Sequence, residues 1–340
     1  MKKTSIGGQG VLEGVMMRSE NVTALAVRKE SGEIVYKKTD LKNRKKNWFL
    51  RLPVVRGVIA FVDTMVIGTS TLFDSANMYS EELVSEKPSK FEEFVAKKTG
   101  KDVLNIMMIF AVIMAIGLSV LLFFILPTFL AGLFKSFVPS VFLRNLIEGL
   151  IRVIILLVYI ISTSFIKDIR RVFMYHGAEH KVINCFEHEE ELTVSNVQKY
   201  RTLHPRCGTS YLFFIVLVSV LLFSMVDWSE VWYLKYGLRI LLLPLVAGLS
   251  YELLKFLAKK DNWIAKIIGF PGLMLQKITT KPPEDNMVEV AIVAFKIALG
   301  EEQEKVDELI KQYDRSKPAK ETEEEKEEDL EELKELNVLQ

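Results

Sequence analysis

Four stretches of this sequence are long and apolar enough to cross a lipid bilayer, and no other feature limits the fold as strongly. They cover residues 103–133, 146–166, 210–226 and 238–257. A membrane-spanning helix needs ~20 predominantly apolar residues. Half of the 340 residues are hydrophobic although 26% are charged, so the charges are concentrated between these stretches. We therefore predict a mainly α-helical, polytopic membrane protein with about four transmembrane helices in contact with the lipid bilayer.

Lysine and arginine alternate in density along the chain in a way that indicates membrane topology. They are frequent in residues 87–101, 167–206 and 255–266, and sparse in the two short loops that follow the first and third spans. Because basic loops stay in the cytoplasm, we predict a multipass protein with both termini and the middle loop cytoplasmic. The formal net charge is only +1, which argues against a nucleic-acid partner.

The pattern divides the chain into six segments, beginning with a small α+β cytoplasmic region. The segments are the N-terminal region 1–102 with a β-hairpin and an amphipathic helix, transmembrane helices one and two (103–166), a cytoplasmic loop (167–209), transmembrane helices three and four (210–258), an interfacial segment with a C-terminal helix (259–300) and a charged tail (301–340).

Local sequence signals refine this division. Residues 22–28 and 33–38 favour strands, and residues 29–32 between them favour a hairpin turn. Segments 54–73 and 263–278 are apolar but carry charges, a pattern typical of helices that lie on the membrane surface. We predict interfacial helices there.

Residues 7–18 are rich in glycine. Their spacing matches neither the glycine-rich dinucleotide fingerprint nor the Walker loop. We interpret the segment as a tight turn that leads into a first strand. Glu13 and Arg18 would then be paired or would line a surface.

All four histidines and both cysteines lie in one part of the middle loop. The segment His176-Gly-Ala-Glu-His180 has the form H-x-x-E-H. On a helix, residues i and i+4 share a face and residue i+3 lies beside them. His176 and His180 can therefore bind one metal, with Glu179 as a ligand or general base. His204-Pro-Arg-Cys207 has the short spacing of a second ligand pair.

Two alternatives stay open for this cluster. The histidines could instead belong to a hydrogen-bonded network in which Glu179 and Arg206 form an ion pair. If a metal is bound, ligation by three histidines and Cys207 would make it structural, whereas an open position beside Glu179 would make it catalytic.

Charged residues also occur within the predicted spans. Glu148 and Arg152 are four residues apart and can pair on one helix face. Charges inside a membrane usually face a bundle interior or an aqueous cavity, which permits a transport function. Arg239 and Lys255 lie close to span ends, so we expect their side chains to extend to the interface. No inverted repeat supports transport.

Five sequence segments together carry a family resemblance. They are residues 7–18, 175–181, 203–209, 250–253 and 271–276, the last followed by Thr279 and Thr280. They resemble the bacterial YqhQ-like family of uncharacterised membrane proteins, from about residue 5 to 299. The resemblance implies a bacterial plasma (inner) membrane location and a metal-dependent enzyme whose substrate is not established.

The resemblance also selects residues within the cluster. The residues that match the family pattern are His176, Glu179, His180, Glu187, His204 and Cys207. His188 and Cys185 do not match it, so we exclude them as ligands. Further candidate polar residues are Glu13, Arg18, Arg206 and Glu252.

Three functional hypotheses follow. In the first, the protein is a metal-dependent hydrolase in which His176, His180 and either His204 or Cys207 hold a divalent metal, zinc by its ligand types, and Glu179 activates water. In the second, it is a non-enzymatic factor that assists other membrane proteins, with the cluster as a structural clasp. In the third, it is a small transporter. The transporter would use Glu148, Arg152 and Glu252.

Overall fold

The computed structural model describes residues 4–41, 48–79, 103–225, 231–259 and 262–316. The described chain is mainly helical and contains a four-stranded sheet. The strands are β1 (Gly7–Val11), β2 (Gly14–Arg18), β3 (Val22–Arg28) and β4 (Ile34–Asp40). The helices are α1 (Val55–Tyr79), α2 (Val103–Val120), α3 (Leu126–Gly132), α4 (Val141–Thr163), α5 (Lys167–Glu187), α6 (Val194–Gln198), α7 (Gly208–Ser224), α8 (Trp232–Lys259), α9 (Trp263–Thr279), α10 (Asp285–Leu299) and α11 (Gln303–Tyr313). The predicted fold class is confirmed.

The sheet is antiparallel with strand order β1-β2-β3-β4. The predicted hairpin joins β3 to β4 through a turn closed by a hydrogen bond from the Gly32 N–H to the Lys29 carbonyl, 3.0 Å long. Gly32 has a φ of +93°, a conformation that glycine adopts without steric cost. The hairpin prediction is therefore confirmed.

The glycine-rich segment forms β1 and β2 themselves rather than only a turn before a first strand. A Cβ at Gly10 would lie 2.4 Å from the Val172 carbonyl oxygen of α5. Glycine therefore allows β1 to lie directly against the backbone of α5. The turn residue Glu13 pairs with Arg171 and accepts from the Tyr175 hydroxyl at 3.2 Å, so the predicted pairing with Arg18 is corrected.

The sheet, α5 and α10 share one hydrophobic core. Val15 of β2, Val182 of α5 and Ile292 of α10 are all fully buried in it. α11 adds Val306 to the same core, so the start of the predicted charged tail is a packed helix. The tail beyond residue 316 lies outside the described residues. The N-terminal strands, α5 of the predicted middle loop and the C-terminal helix α10 thus pack around one core.

Among the described residues, four helical segments are long and apolar enough to cross a membrane. They are Val55–Tyr79, Phe110–Gly132, Val141–Thr163 and Tyr236–Leu257. The number of candidate spans agrees with the prediction, but the set of helices differs. The predicted third span, α7, has 17 residues, the short end of the range of about 17–25 for a membrane-spanning helix, and packs among α4, α8 and α9.

Helix α1 covers a segment predicted to be interfacial, although its length permits a crossing. Near its start, a Cβ at Gly57 would lie 2.9 Å from Gly248 of α8. Further along, the Gly68 carbonyl accepts a hydrogen bond from Gln9 of β1 at 3.0 Å. The helix therefore extends from the side of α8 to the sheet. The interfacial location stays a prediction.

The first hydrophobic helix is interrupted at a point where its backbone binds an arginine of another helix. Residues Leu121–Ile125 form a π-helical turn between α2 and α3. Pro127 has no N–H to donate to the Phe123 carbonyl four residues earlier. That carbonyl instead accepts a hydrogen bond from Arg152 Nε at 2.9 Å. The proline thus frees a backbone acceptor for a charged side chain of α4.

Arg152 belongs to a buried charged cluster with Glu148 and Arg239. Arg152 Nη2 lies 3.1 Å from Glu148 Oε1, which confirms the predicted pair. Arg239 is only 1% exposed and donates to Glu148 Oε2 at 2.9 Å. The expectation that Arg239 extends to the interface is therefore wrong, because its charge is compensated inside the helix bundle.

Candidate metal centre

Three potential ligand atoms converge between α5 and the start of α7. His176 and His180 lie one turn apart on α5, and Cys207 directly precedes α7. Their ligand atoms all lie within 4.8 Å of one another. The helical spacing thus brings the two histidines together as predicted, and the fold adds a cysteine thiol.

Backbone carbonyls fix the orientation of both imidazole rings. His176 Nδ1 donates to the Thr279 carbonyl at 2.9 Å, and His180 Nδ1 donates to the Thr202 carbonyl. A carbonyl accepts only, so each Nδ1 carries a proton, and Nε2 is the ring nitrogen left to bind a metal. This is the arrangement by which proteins orient histidine ligands of metals.

The Nε2 atoms face Cys207. His176 Nε2 lies 3.2 Å from the Cys207 Sγ. His180 Nε2 is buried and has no hydrogen-bond partner within the described chain. Burial, with His176 nearby, lowers the pKa of His180, so its imidazole is neutral. A buried nitrogen without a partner costs free energy, and a metal ligated there would remove that cost.

Cys207 is the N-cap residue of α7. Its Sγ accepts from the Thr209 backbone N–H at 3.4 Å and lies 3.2 Å from the Thr209 hydroxyl. These contacts orient the sulfur toward α5. The cysteine is unpaired, and it is buried.

Gly177 explains how the Thr279 carbonyl reaches His176. The Lys281 carbonyl oxygen lies 2.0 Å from where a Cβ of Gly177 would stand. The Lys281 N–H donates to the Phe173 carbonyl at 2.9 Å, so the segment after α9 crosses α5 at this glycine. The sequence suggested that Gly177 could permit the close approach of another backbone segment, and the structure confirms this approach.

Glu179 lies beside the cluster and is 3% exposed. Burial raises its pKa to about 7, while His176 and a hydrogen bond from the Gly8 backbone N–H act in the opposite direction. Its Oε2 has no hydrogen-bond partner within the described residues. The carboxyl group can therefore hold or release a proton near neutral pH, as a general base must.

His204 lies next to this cluster but is not among the three converging ligands. Its Nε2 is 3.6 Å from Glu187 Oε2, and its backbone N–H and carbonyl each form a 2.9 Å hydrogen bond with the Gln276 side chain. The ring centroids of His204 and His180 are 5.8 Å apart. Of the alternative ligands predicted from the sequence, Cys207 has the more favourable geometry.

Arg206 pairs with Glu187 and not with Glu179. The Thr4 N–H also donates to Glu187, at 2.9 Å. Burial would raise the Glu187 pKa, but hydrogen bonds from His204, Thr4 and Arg206 outweigh it and hold the pKa at about 2. The Glu179–Arg206 pair of the network hypothesis is therefore not formed, and Glu187 is the ionised carboxylate of a neighbouring network with Arg206.

The other sequence candidates lie away from the converging ligands. Glu252 pairs with Arg56 of α1 at 2.6 Å. Cys185 is buried near the Glu190 and Glu191 carbonyls, and His188 Nδ1 binds the Asn184 carbonyl. Arg18 is the last residue of β2. The exclusion of His188 and Cys185 agrees with this geometry.

Sequence reasoning assigned no role to the residues that orient the ligands. Thr202 and Thr279 act through their backbone carbonyls and Lys281 through its backbone N–H, and for such groups the residue type carries no signal. Gln276 is fully buried, and the sequence offered two indications of its importance: it is a polar residue in an apolar helix, and it belongs to one of the segments that carry the family resemblance.

The donor set suits zinc. Two imidazole nitrogens and one cysteine sulfur match the nitrogen and sulfur ligands that zinc prefers, and a tetrahedral ion with three protein ligands keeps one open position. The fixed tautomers and the unpartnered His180 Nε2 also fit a bound ion.

Comparison with known proteins places the chain among relatives that have no described activity. Residues 52–301 match the model of a family described as a protein of unknown function, DUF1385. The chain is 37% identical over 293 residues to the uncharacterized protein YqhQ of Bacillus subtilis (strain 168). The aligned region covers 85% of this chain and 90% of that protein. No solved structure matches. The chain therefore belongs to the DUF1385 family of YqhQ-like proteins, as its sequence motifs predicted.

Proposed function

We propose that this protein is a metal-dependent hydrolase embedded in the bacterial plasma membrane, with its metal centre at the cytoplasmic face. The observation that carries the proposal is the convergence of His176 Nε2, His180 Nε2 and Cys207 Sγ within 4.8 Å. The density of lysine and arginine in the middle loop supports the cytoplasmic location.

Each residue has a distinct role in this proposal. His176, His180 and Cys207 hold the ion, and the carbonyls of Thr279 and Thr202 keep both rings in the ligating tautomer. Bound zinc supplies Lewis-acid catalysis and lowers the pKa of a water molecule. Glu179 would accept a proton from the attacking water, because its Oε2 is buried beside the ligands and has no hydrogen-bond partner within the described residues.

The burial of the cluster favours one alternative. His180 is 1% exposed and Glu179 is 3% exposed. A closed site is typical of structural zinc, so the alternative is a non-enzymatic factor for membrane-protein assembly in which the metal clasps α5 to α7. A substitution of Glu179 distinguishes this alternative from catalysis.

Transport receives less support from the contacts of the charged residues. Glu148 is engaged by Arg152 and Arg239, and Glu252 by Arg56. Arg239 and Glu252 are 13 positions apart on α8, a rise of about 20 Å, so the two charged groups are separate. Fully paired groups lack the free carboxylate that a proton relay needs.

Elemental analysis of the purified full-length protein tests the proposal. We expect about one equivalent of zinc per chain. His176→Ala should remove it, whereas His188→Ala, which changes a histidine outside the cluster, should not. A protein without stoichiometric metal, and with the same stability after His176→Ala, would exclude both the hydrolase and the clasp.

Glu179→Gln then separates the two. In a strain that lacks the native gene, a hydrolase predicts that this variant keeps its zinc and fails to restore the wild-type phenotype. Full complementation by the metal-loaded variant would favour the clasp instead.

A further inference from the structure

An apolar groove lies beside the metal centre, between α4, α7 and α9. Its volume is about 300 Å³, the lower end of the range for small-molecule pockets. Every side chain that lines it is apolar. Those that shape its walls include Val153, Leu157, Phe213, Val216, Phe270 and Met274. No polar side chain in the lining could orient a water-soluble ligand.

The groove opens on the lipid-facing side of α4. Leu157 lines the groove and is 38% exposed. Leu150, Ile154 and Val158 of the same helix are each more than half exposed. In a helix that crosses a membrane, these side chains contact hydrocarbon. The molecule with direct access to the groove is therefore a membrane lipid.

The groove continues toward the metal centre along two helices. On α9, Ile278 lines the groove, and the next residue, Thr279, accepts the hydrogen bond from His176. On α7, Phe213 lines the groove six residues after Cys207, a rise of about 9 Å. A molecule with its hydrocarbon part in the groove would have its polar end near the ligands.

We propose that the groove holds one acyl chain of a membrane lipid, so that the substrates of the metal centre are acyl-bearing amphipathic molecules. The substrate assignment rests on the proposed function. The occupation of the groove by an acyl chain does not, because it depends only on the apolar lining and the access from the bilayer.

Photolabelling in vesicles tests the inference on the full-length protein. The vesicles contain phosphatidylethanolamine, phosphatidylglycerol and a small fraction of phosphatidylcholine with a diazirine on one acyl chain. After illumination, peptide mass spectrometry locates the adducts. We expect labelling of the α9 groove residues to exceed, by at least threefold, labelling of exposed α2 side chains such as Ile113.

Two matched variants identify the site of labelling. Met274→Trp fills the groove and should reduce labelling there at least threefold. Leu150→Trp adds the same ring to the lipid-facing side of α4 outside the groove lining and should leave it unchanged. Equal labelling of the groove and α2 would overturn the inference, because the groove would then bind lipid no better than the open helix surface. Equal effects of both variants would also overturn it, because labelling would then not depend on the groove.

Zinc content and groove labelling, measured on the same samples, separate this inference from the proposed function. Strong labelling of the groove in a wild-type protein that contains no zinc would contradict the metal-dependent function and the substrate assignment, while acyl binding would stand. Zinc binding without groove labelling would contradict the inference alone. We expect His176→Ala to lose zinc and to keep its labelling.

Discussion

At the scale of single residues, Gly177 allows the segment after α9 to reach α5 at the proposed metal centre. A side chain there would meet the Lys281 carbonyl oxygen at 2.0 Å, and that segment carries the Thr279 carbonyl that orients His176. Because the new Cβ is attached to the backbone of α5 and would meet a backbone oxygen, the clash can be relieved only if one of the two backbone segments moves.

We predict that Gly177→Ala lowers the free energy of unfolding by about 3 kcal/mol and weakens zinc binding. The matched control is Gly269→Ala, on α9, where no atom lies within 4 Å of the new methyl group. The control should be neutral or slightly stabilising, since alanine favours helix by about 1 kcal/mol over glycine. Thermal unfolding in detergent measures both. Equal effects of the two variants would contradict the close contact.

The two cysteines should differ in reactivity. Burial raises the pKa of Cys185 to about 11, so at pH 8 roughly one thiol in a thousand is ionised, and the folded protein should protect it from alkylation. We predict that Cys207 is also protected while metal is bound and that a chelator increases its alkylation at least tenfold. Mass spectrometry after iodoacetamide treatment, with Cys185→Ser as the assignment control, measures this. Alkylation of Cys207 that is unaffected by the chelator would argue against its role as a ligand.

At the scale of elements, charged side chains join the transmembrane helices. Arg152 of α4 binds the Phe123 carbonyl that Pro127 leaves free, and Arg239 of α8 binds Glu148. The guanidinium groups of both arginines also lie within 6 Å of the Phe223 ring of α7, at 5.6 and 5.7 Å. The cluster therefore connects α4, α7, α8 and the π-helical turn.

We predict that Arg239→Met lowers stability by about 3–5 kcal/mol, because it leaves Glu148 buried with weaker compensation. Lys255→Met, on the same helix, should cost less than about 1 kcal/mol, since Lys255 is only partly buried and faces Tyr251 at 5.8 Å. Denaturation in mixed micelles compares the two. The double variant Glu148→Gln/Arg239→Met should lose less than the sum of the single losses. Additive losses would contradict a coupled pair.

At the scale of the whole molecule, one core unites three distant parts of the chain. β2, α5 and α10 contribute Val15, Val182 and Ile292 to it. We therefore expect these parts to share one side of the membrane, with an even number of crossings between each of them and the next. A sheet formed at the start of the chain thereby supports a site near its middle.

We predict that this shared side is the cytoplasm. Alkaline phosphatase is active only outside it, so a fusion after Gln340 should be inactive and an insertion at Phe137, in the α3–α4 loop, should be active. A fusion that ends after Tyr79 should also be inactive if α1 lies along the surface. Activity of that truncated fusion would show that α1 crosses, and activity after Gln340 would reverse the predicted topology.

Periodic and compositional features were readable from the sequence alone. Apolar runs indicated membrane helices because hydrocarbon admits few charges, and the H-x-x-E-H spacing placed His176 and His180 together because a helix repeats every 3.6 residues. Lys29–Gly32 predicted a hairpin because glycine suits the left-handed turn. Each of these depends on neighbours within a few positions.

Contacts between distant segments required the tertiary structure. Arg239 and Glu148 are 91 residues apart, and His176 and Thr279 are 103 apart. No local pattern indicates that Cys207 rather than His204 faces the imidazoles, or that backbone carbonyls fix their tautomers. The sequence by itself determined a helical membrane protein with a histidine-rich segment. The tertiary structure decided that Cys207 and the Thr279 carbonyl meet the imidazoles of α5, and that α4, α7 and α9 enclose a groove, because the surroundings of a side chain depend on which distant segments approach it.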